Sequence, residues 1–475
     1  MIVVLGLAVA GAATVRALRQ RGHDVVAADD TVDDAKRRLA AELDVELVVA
    51  PDQRQLVDLV TASELVVPAP GVPETHRVFA VARELGRPVV SELELAYGWE
   101  QERPGGPRPM LAVTGTDGKT TTTLWAVEML AAGGVRSVAA GNTDVPLVEA
   151  LDLDVDAFVV ECTSFRLAWT SAFRGEAAAW LNLAPDHLNW HVSMDTYTAA
   201  KARIFSQQRP TDVAIGYAAD PVVMTHLDSA PARHVTFGTA GSDYRVEGRT
   251  PGAVLVGPRG DLGAVASLGR ALPHDLTNGL AAAALVLETG LVGPDAVAAG
   301  LASFVGPPHR IELVGEGDGV RWYNDSKATT PHAASVAIRA FDHVVLIAGG
   351  LNKGLDLTPM AAEPGRLRAV VAIGQAADVI AETFAGVAPV VRAGSMAEAV
   401  ERSADAARPG DVVLLSPGCA SFDWYPDGGY PARGDDFRRL VRQRLGGPPI
   451  TSTHPGPSPH PDPPTPSAHA TTGAP

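Results

Sequence analysis

Residues 113–121 read Val-Thr-Gly-Thr-Asp-Gly-Lys-Thr-Thr, a glycine-bounded loop that contains one lysine. An apolar run over 110–113 precedes the loop and predicts a strand, and a helix is expected over roughly 120–132. Such a loop directs backbone N–H groups and a helix N-terminus at an anion. Val113 stands where the ordinary phosphate-binding motif has its first glycine. The segment therefore favours nucleotide phosphate binding without establishing it.

Lysine is a rare residue in this chain. Of 39 lysines and arginines only five are lysines, namely Lys36, Lys119, Lys201, Lys327 and Lys353. A lysine amine can lose its proton and react, whereas a guanidinium stays charged. Lys36 lies in a helical stretch over 33–42 where no role is expected. The other four stand among further polar residues and are candidates for chemistry.

Two predicted strands of the central region end in polar residues. The strand over 157–161 ends at Glu161, and the strand over 177–181 is followed by Asn-Leu-Ala-Pro-Asp-His187. Ligands of parallel sheets bind at the carboxyl ends of the strands, and Mg²⁺ prefers oxygen ligands. The sequence is equally compatible with Glu161 as a metal ligand and as a solvated carboxylate that ends a strand. The position of His187 after a strand favours a functional role over a structural one. Lys201, on a helix predicted over about 194–206, is expected from local sequence to lie on a solvated face.

The first hundred residues alternate between strands and helices. Strands over 2–5, 24–28, 47–49, 65–68 and 88–91 predict a doubly wound sheet. Ala8 occupies the position of the middle glycine in a dinucleotide fingerprint, which makes NAD binding unfavourable. The loop Pro70-Gly71-Val72-Pro73 fits a ligand-facing loop and a simple tight turn equally well.

Composition divides the chain into three αβ domains and a tail. We predict a first domain over 1–103 and a central domain over 104–306, which starts at a Pro- and Gly-rich linker. A third domain is predicted over 307–446, with strands over 343–348, 369–373, 389–392 and 411–416. Residues 447–475 are rich in Pro, Ser, Thr and His and are predicted to be disordered.

Charge and cysteine usage narrow the function classes. The formal net charge of −16 and the lack of a basic stripe argue against nucleic-acid binding. Two cysteines form no disulfide framework, which favours a reduced cytoplasmic setting. The apolar segment 1–17 is interpreted as a strand, a glycine turn and a helix instead of a signal peptide, and no run predicts a membrane helix.

Taken in order, the motifs resemble the Mur ligases, ATP-dependent amide-forming enzymes that extend the peptidoglycan stem peptide and are related to folylpolyglutamate synthetase. The resemblance covers about residues 1–445. It is carried by Thr114-Gly-Thr-Asp-Gly-Lys-Thr-Thr121, Glu161-Cys-Thr-Ser-Phe165, Asp186-His187, Tyr197-x₃-Lys201, His274, Asn278, His309-Arg310 and Asn324-Asp-Ser-Lys-Ala-Thr329. It implies an α/β fold of three domains: a Rossmann-like N-terminal domain, a central P-loop ATPase-like domain and a Rossmann-like C-terminal domain.

Three motifs of the third domain resemble one branch of that family. They are Asn324-Asp-Ser-Lys-Ala-Thr329, Gly349-Gly-Leu-Asn-Lys-Gly354 and Leu415-Ser-Pro-Gly-Cys-Ala-Ser-Phe422. This branch adds D-glutamate to UDP-N-acetylmuramoyl-L-alanine through an acyl phosphate made with ATP, and the resemblance implies a cytoplasmic monomer. The alternatives are an enzyme similar to folylpolyglutamate synthetase, a ligase for L-glutamate, or an inactive nucleotide-binding regulator.

The resemblance also implies roles for single residues. ATP contacts are expected from Gly115, Thr116, Asp117, Gly118, Lys119, Thr120, Thr121, Asn278, Arg310 and Asp325. Two Mg²⁺ ions are expected, one on Thr120 and Glu161 and one on His187 and a carbamylated Lys201. The catalytic residues would be Lys119, His187, Lys201 and Lys327. The UDP-substrate would contact Val9, Ala10, Asp30, Thr31, Gly71 and Asn142, and glutamate would contact Thr329, Lys353, Ser421 and Phe422.

The sequence departs from the family pattern at a few positions. Val32 stands where a basic residue is frequent next to the UDP contacts, and Thr330 stands where asparagine is frequent beside the glutamate contacts. Asp117 and Asp275 replace frequent asparagines, and Thr163 replaces a frequent serine. These departures affect local contacts and remove no group to which chemistry is assigned.

Overall fold

The computed structural model describes residues 1–188, 190–249 and 252–446. It forms two compact units, Met1–Pro307 and a second unit that begins at Pro308. The first unit contains both the predicted first and central domains, and the boundary between these two at residue 104 stays a prediction. The predicted disordered tail, 447–475, lies outside the described residues.

The first sheet of the first unit consists of parallel strands in the order β3-β2-β1-β4. Its elements are β1 Ile2–Leu5, α1 Val9–Gln20, β2 Val25–Asp29, α2 Asp34–Glu42, β3 Glu46–Val49, α3 Gln53–Ala62, β4 Leu65–Pro68, α4 Arg77–Glu84 and α5 Glu92–Gln101. Strand β1 lies inside the sheet and is buried along its whole length, as its apolar sequence predicts.

The predicted fifth strand over 88–91 is wrong. Only an isolated bridge joins Val89 to Val66. Pro88 has no N–H to donate to a ladder, and the N–H of Ser91 donates to the carbonyl of Trp169 instead. Helix α5 then begins at the next residue.

A glycine turn joins β1 to α1. A Cβ on Gly11 would lie 1.8 Å from the carbonyl oxygen of Gly6, so only glycine fits at this point of close approach. This contact brings the first turn of α1 close to the carboxyl end of β1, where Val9 is 77% exposed.

The second sheet has six parallel strands in the order β10-β9-β8-β5-β7-β6, with helices on both faces. Its elements are β5 Met110–Thr114, α6 Lys119–Ala132, β6 Ser137–Gly141, α7 Leu147–Ala150, β7 Ala157–Glu161, α8 Ser164–Leu167, β8 Ala177–Trp180, α9 Met194–Ser206, β9 Val213–Tyr217, α10 Pro221–Asp228 and β10 Arg233–Phe237. The predicted strands before the phosphate loop and before Glu161 and the predicted helix over 194–206 are confirmed.

A small antiparallel sheet and two helices complete the first unit. These elements are β11 Arg245–Glu247, β12 Val254–Gly257, β13 Gly260–Ala264, a 3₁₀ turn Val265–Ser267, α11 Pro273–Glu288 and α12 Pro294–Ser303. Helices α11 and α12 pack on α6, and α11 also packs on β8, β9 and β10, so α11 and α6 lie side by side on one face of the second sheet.

The second unit contains a six-stranded sheet in the order β14-β15-β19-β16-β17-β18, parallel except for β14. Its elements are β14 Glu312–Gly317, β15 Val320–Asn324, α13 Pro331–Arg339, β16 Val344–Gly349, 3₁₀ turns Thr358–Ala361 and Pro364–Arg366, β17 Leu367–Ile373, α14 Ala377–Thr383, β18 Val390–Ala393, α15 Met396–Ala406, β19 Val412–Gly418 and α16 Gly429–Arg444. The four predicted strands are confirmed, whereas the β14–β15 hairpin was not predicted. Its signal was the Asp318-Gly319 turn, in which both residues have positive φ.

Among the described residues, no helix is long and apolar enough to cross a membrane. Cys162 and Cys419 are both buried free thiols.

Candidate active site

The candidate site lies at the carboxyl edge of the second sheet. Strands β8, β5 and β7 are neighbours in that order, and the loops that follow them start at residues 181, 115 and 162, respectively. Because the strands are parallel, these three loops meet at one edge. They carry the phosphate loop, the Glu161 motif and the segment that leads to His187.

The phosphate loop is shaped by two asparagines from outside it. Asn182 Oδ1 accepts from the N–H groups of Thr116 and Asp117, both at 2.9 Å, and Asn182 Nδ2 donates to the carbonyl of Asp117 at 3.3 Å. Gly118 has φ +82°, and a Cβ there would meet Asn278 Oδ1 at 2.3 Å. The predicted nucleotide contact Asn278 therefore lies directly against the loop, while Asn182 fixes its backbone.

Two lysine amines converge on the loop. Lys119 Nζ donates to the carbonyls of Gly115 at 3.0 Å and Thr116 at 2.8 Å. Lys201 Nζ donates to the same Gly115 carbonyl at 2.6 Å. The solvated helix face expected for Lys201 is wrong, because its side chain is 1% exposed. Local sequence could not reveal this, since the burial comes from packing of α9 against the loop.

The environment of Lys201 favours its neutral amine. Burial and the nearby charge of Lys119 hold the pKa of Lys201 well below its usual range, against the opposing carboxylates of Asp186 and Asp117. The ring of Tyr197 lies 4.7 Å from Lys201 Nζ, and the Tyr197 hydroxyl is 3.0 Å from Thr116 Oγ1. The Tyr197-x₃-Lys201 pair thus holds one face of the loop.

Glu161 presents one unsatisfied carboxylate oxygen. Its side chain is 1% exposed, and Oε1 accepts from Asn142 Nδ2 at 2.8 Å. Oε2 is buried and has no hydrogen-bond partner. A buried carboxylate oxygen without a donor is costly unless a cation is supplied, so Glu161 fits a metal ligand.

His187 lies at the rim of the same edge. It adopts φ +55°, its side chain is 40% exposed, and Nε2 is 3.3 Å from Asp186 Oδ2. Its ring packs against Phe165 at 4.7 Å. No group of three or more His, Cys, Asp or Glu side chains in the described ranges is arranged to hold a metal ion.

The loop 70–74 is attached to the segment after His187. Trp190 Nε1 donates to the carbonyl of Pro70 at 2.9 Å, and the N–H of Glu74 donates to the carbonyl of Trp190 at 3.2 Å. The predicted substrate contact Gly71 is therefore held next to the site on the second sheet.

The other predicted UDP contacts surround the carboxyl ends of β1 and β2. Val9 and Ala10 lie in the first turn of α1. Asp30 Oδ2 lies within hydrogen-bond distance of His76 Nε2, at 2.9 Å. Lys36, for which no role was expected, donates to Asp29 Oδ2 at 2.7 Å and to the carbonyl of Thr31 at 2.6 Å. A lysine from α2 thus braces the turn beside Val32.

This brace affects Asp29. Burial raises the pKa of Asp29, but hydrogen bonds from Lys36 and from the N–H groups of Leu7 and Thr31 outweigh it and hold the pKa below its usual value. The glycine turn at Leu7 and the turn at Thr31 are therefore tied to one ionised carboxylate.

The second unit contains a cavity of about 150 Å³. Its lining residues are Thr329, Thr330, Leu351, Asn352, Lys353, Leu355, Cys419 and Ala420. Two predicted glutamate contacts, Thr329 and Lys353, are thus brought together. Lys353 Nζ also lies 5.6 Å from the ring of Phe422, which is 51% exposed, whereas Ser421 is buried next to the cavity wall.

A buried arginine that was not predicted supports this cavity. Arg433 is 1% exposed and donates to the carbonyls of Ser326, Cys419 and Ala420 and to Ser326 Oγ. Burial lowers its pKa to about 10. Arg433 therefore ties the loop before Lys327 to the loop before Ser421.

The predicted ATP contacts Arg310 and Asp325 and the predicted catalytic Lys327 also lie in the second unit. Asp325 accepts from the N–H of Ile311 at 3.2 Å and from Ser416 Oγ at 2.7 Å, so it fixes the backbone next to Arg310. Lys327 Nζ lies 5.9 Å from the ring of Tyr430. Their roles toward ATP stay predictions.

Comparison with known proteins decides the family. The family model "Mur ligase middle domain" matches residues 113–286, and the model "Mur ligase, glutamate ligase domain" matches residues 309–419. The chain is 43% identical over 462 residues to a UDP-N-acetylmuramoylalanine–D-glutamate ligase of Frankia casuarinae, with 94% of each chain covered. The chain belongs to the Mur ligase family. A second relative of the same name, from Myxococcus xanthus, is 40% identical and covers 93% of this chain and 97% of its own.

Solved Mur ligases share the fold at low identity. The UDP-N-acetylmuramate-alanine ligase of Thermotoga maritima superposes with a TM-score of 0.55 at 17% identity, covering 93% of this chain and 99% of its own. MurF ligase from Thermotoga maritima, solved with ADP, gives 0.56 at 17% identity and covers 80% and 95%. At this identity they support the mixed α/β multidomain fold of this Mur ligase.

Four residues of this Mur ligase that support the phosphate loop, the predicted substrate contacts or the cavity of the second unit were not predicted. Asn182, Arg166, Lys36 and Arg433 act through contacts between elements distant in sequence. Only Asn182 had a usable signal, because it directly follows a strand whose carboxyl end faces the site.

We predict that Asn182→Ala weakens ATP binding about tenfold, because the two N–H groups it holds contribute roughly 0.5–1.5 kcal/mol each to the loop conformation. Isothermal titration with a non-hydrolysable ATP analogue measures the change. Gln208→Ala is the matched control, since the Gln208 side chain also holds backbone groups by hydrogen bonds, here by donating to the carbonyls of Gly175 and Val213 at the amino ends of the strands. Equal affinity of the Asn182 variant and the unaltered protein would contradict the role given to Asn182.

Proposed function

We propose that this Mur ligase adds D-glutamate to UDP-N-acetylmuramoyl-L-alanine with hydrolysis of ATP, as a step in peptidoglycan precursor synthesis. The observation that carries the proposal is the convergence of Lys119 and Lys201 on the Gly115 carbonyl of the phosphate loop. The choice of acceptor and substrate is supported by the relatives of that name, which are 36–43% identical over 93–94% of this chain.

The reaction needs activation of a carboxylate. The terminal carboxylate of the alanyl substrate attacks the γ-phosphorus of ATP, so that ADP leaves and an acyl phosphate forms. The neutral amine of D-glutamate then attacks the acyl carbon, and the tetrahedral intermediate loses one proton from nitrogen and expels phosphate to leave the amide. Phosphoryl transfer depends mainly on positioning and charge stabilisation, which suits a rigid loop with cationic side chains.

Lys119 and the loop residues 115–121 would hold the phosphates. Lys119 is the first residue of α6, and its amine already lies at the loop, where it donates to two carbonyls. A small rotation of its side chain would bring the amine to a phosphate bound in the loop. Asn278 lies against Gly118 and would contact the nucleotide from α11. The charge that develops on the transferred phosphoryl group would meet Lys119 and the N-terminus of α6.

Mg²⁺ fits the residues present, because Glu161 Oε2 is buried and lacks a donor and Thr120 lies half-buried in the first turn of α6. When bound, the cation would neutralise phosphate charge and orient the nucleotide. We propose a second ion on His187 and a carbamate of Lys201. The number of ions is part of the proposal.

Carbamylation of Lys201 needs a neutral amine, which attacks CO₂ and loses one proton to give an N-carboxylate. Burial and Lys119 favour the neutral amine by lowering the pKa of Lys201. The product is an anion beside Lys119, so it would remove the repulsion between two amines and supply an oxygen ligand.

The two substrates would bind at separate places. The UDP-substrate would lie against Val9, Ala10, Asp30, Thr31 and Gly71 of the first sheet, with its muramoyl part near Asn142. D-Glutamate would bind in the cavity of the second unit, where Lys353 and Thr329 supply a cation and a hydroxyl and Ser421 and Phe422 lie alongside. Dicarboxylates are recognised by such charge-assisted contacts. The monomeric state and the cytoplasmic location stay predictions.

The substrate assignment predicts phosphate release only with the full set of ATP, Mg²⁺, UDP-N-acetylmuramoyl-L-alanine and D-glutamate. A coupled phosphate assay measures it, with L-glutamate as the matched acceptor. Release with L-glutamate alone would overturn the stereochemical choice. Release with neither acceptor would refute the ligase function and leave a nucleotide-binding regulator.

Lys201→Arg should lower turnover by more than about 100-fold, because a guanidinium forms no carbamate and the ion it would hold loses its position. Lys201→Ala should behave alike, but added formate should partly restore it by supplying a carboxylate. ¹³C NMR in labelled bicarbonate should show a carbamate signal in the unaltered protein and none in either variant. Near-normal turnover of Lys201→Arg would exclude the carbamate.

A further inference from the structure

A relay of side chains, buried except at Asn142, leads away from the unsatisfied carboxylate of Glu161. Asn142 Nδ2 donates to Glu161 Oε1 at 2.8 Å, and Asn142 Oδ1 accepts from Arg166 Nη1 at 2.8 Å. Arg166 Nε donates to Glu92 Oε1 at 2.9 Å. The relay thus joins β7, the loop after β6, helix α8 and helix α5.

The chemistry of its members allows a single orientation of the Asn142 amide. A guanidinium only donates and a carboxylate only accepts, so the amide oxygen must face Arg166 and the amide N–H must face Glu161. An amide without Arg166 could turn over and present its oxygen to the carboxylate. Arg166 therefore determines that Glu161 Oε1 receives a hydrogen bond.

This hydrogen bond has a consequence for the other carboxylate oxygen. Rotation of the carboxylate would break the hydrogen bond to Oε1, so this bond favours the orientation in which Oε2 is buried without a partner. Mg²⁺ demands near-ideal octahedral geometry, which a single fixed oxygen meets better than a mobile carboxylate. Hydrogen bonds behind a metal ligand commonly change metal affinity by about 10–100-fold.

Glu92 keeps Arg166 in place. Both side chains are buried, at 3% and 6% exposure, and Glu92 is on the helix that ends the first hundred residues. Burial raises the pKa of Glu92, and the Arg166 guanidinium opposes this shift. Removing one partner alone would leave the other charge buried without compensation, so the pair must be tested together.

We propose that Arg166, held by Glu92, is a positioning residue that orients Asn142 and thereby directs Glu161 Oε2 at the nucleotide-bound metal ion. This inference rests on the proposed metal-binding role of Glu161. It assigns a function in metal affinity to a buried ion pair that would otherwise only join two helices.

The test uses Mn²⁺ in place of Mg²⁺ with a non-hydrolysable ATP analogue and no UDP-substrate. Electron paramagnetic resonance titration gives the first dissociation constant, that of the protein for the Mn²⁺–nucleotide complex. Titration of the protein with the nucleotide in EDTA, which removes the metal, gives the second dissociation constant, that for the nucleotide alone. The double variant E92Q/R166Q should raise the first constant by about tenfold and leave the second unchanged.

The chain offers a matched control on the same helix. Glu100 of α5 forms a buried pair with Arg108 at 2.8 Å, and this pair has no described contact with Glu161 or Asn142. E100Q/R108Q should leave both constants within about twofold of the unaltered protein. Equal loss of Mn²⁺ affinity in the two double variants would overturn the inference, because it would reflect general destabilisation.

A single substitution covers the case in which E92Q/R166Q does not fold. Asn142 is exposed, and N142A cuts the relay while the Arg166–Glu92 pair stays intact. It should raise the Mn²⁺ constant to a similar extent, and an unchanged constant would overturn the inference. If the unaltered protein shows no Mn²⁺-dependent increase in nucleotide affinity, the metal role of Glu161 and with it the proposed mechanism fail instead.

Discussion

The Gly115 carbonyl accepts hydrogen bonds from the amines of Lys119 and Lys201, and the other parts of the candidate site in the first unit are arranged around this shared contact. Lys201 is almost completely buried, and this burial and the nearby charge of Lys119 disfavour its ammonium form, whereas the carboxylates of Asp186 and Asp117 favour it. A neutral Lys201 or an added anion would relieve the repulsion between the two amines. The proposed ATP phosphates and carbamate on Lys201 would supply such anions, so the two lysines indicate the chemistry more specifically than the loop motif alone.

The surrounding structure keeps these amines in place. Asn182 holds the backbone of the loop, and Asn278 lies against Gly118. The Tyr197 hydroxyl lies within hydrogen-bond distance of Thr116, and its ring lies close to Lys201. Glu161 stands on the neighbouring strand with one oxygen unsatisfied. The site thus combines a loop that carries lysine side chains with a buried carboxyl group, an arrangement that fits the proposed polyphosphate and divalent cation.

Sequence patterns predicted those parts of the fold that depend on local order. Apolar runs predicted β5 and β7, and the spacing of glycines predicted the loop between β5 and α6. The prediction of a strand over 88–91 was wrong because Pro88 has no N–H to donate to the neighbouring strand and the N–H of Ser91 donates to Trp169 instead. The β14–β15 hairpin was missed although Asp318-Gly319 is a hairpin signal.

Candidate site residues that directly follow a strand could be predicted from the sequence. The contacts that side chains on helices make with the site could not. Glu161 and His187 could be chosen because of their positions after strands, and Thr329 and Lys353 because of the family resemblance. The burial of Lys201 and the contacts of Lys36, Arg166 and Arg433 depend on packing between segments far apart in sequence. No single-sequence pattern carries that information, since helix faces of this composition are equally compatible with solvent.

Activation of the substrate carboxylate by ATP is the central claim, and transfer of a carboxylate oxygen to phosphate tests it most directly. UDP-N-acetylmuramoyl-L-alanine labelled with ¹⁸O in both terminal carboxylate oxygens is turned over with ATP and D-glutamate, and the released phosphate is analysed by mass spectrometry. The account predicts one ¹⁸O in each phosphate released and one retained in the new amide. Product formation with unlabelled phosphate would contradict an acyl phosphate and the account built on it.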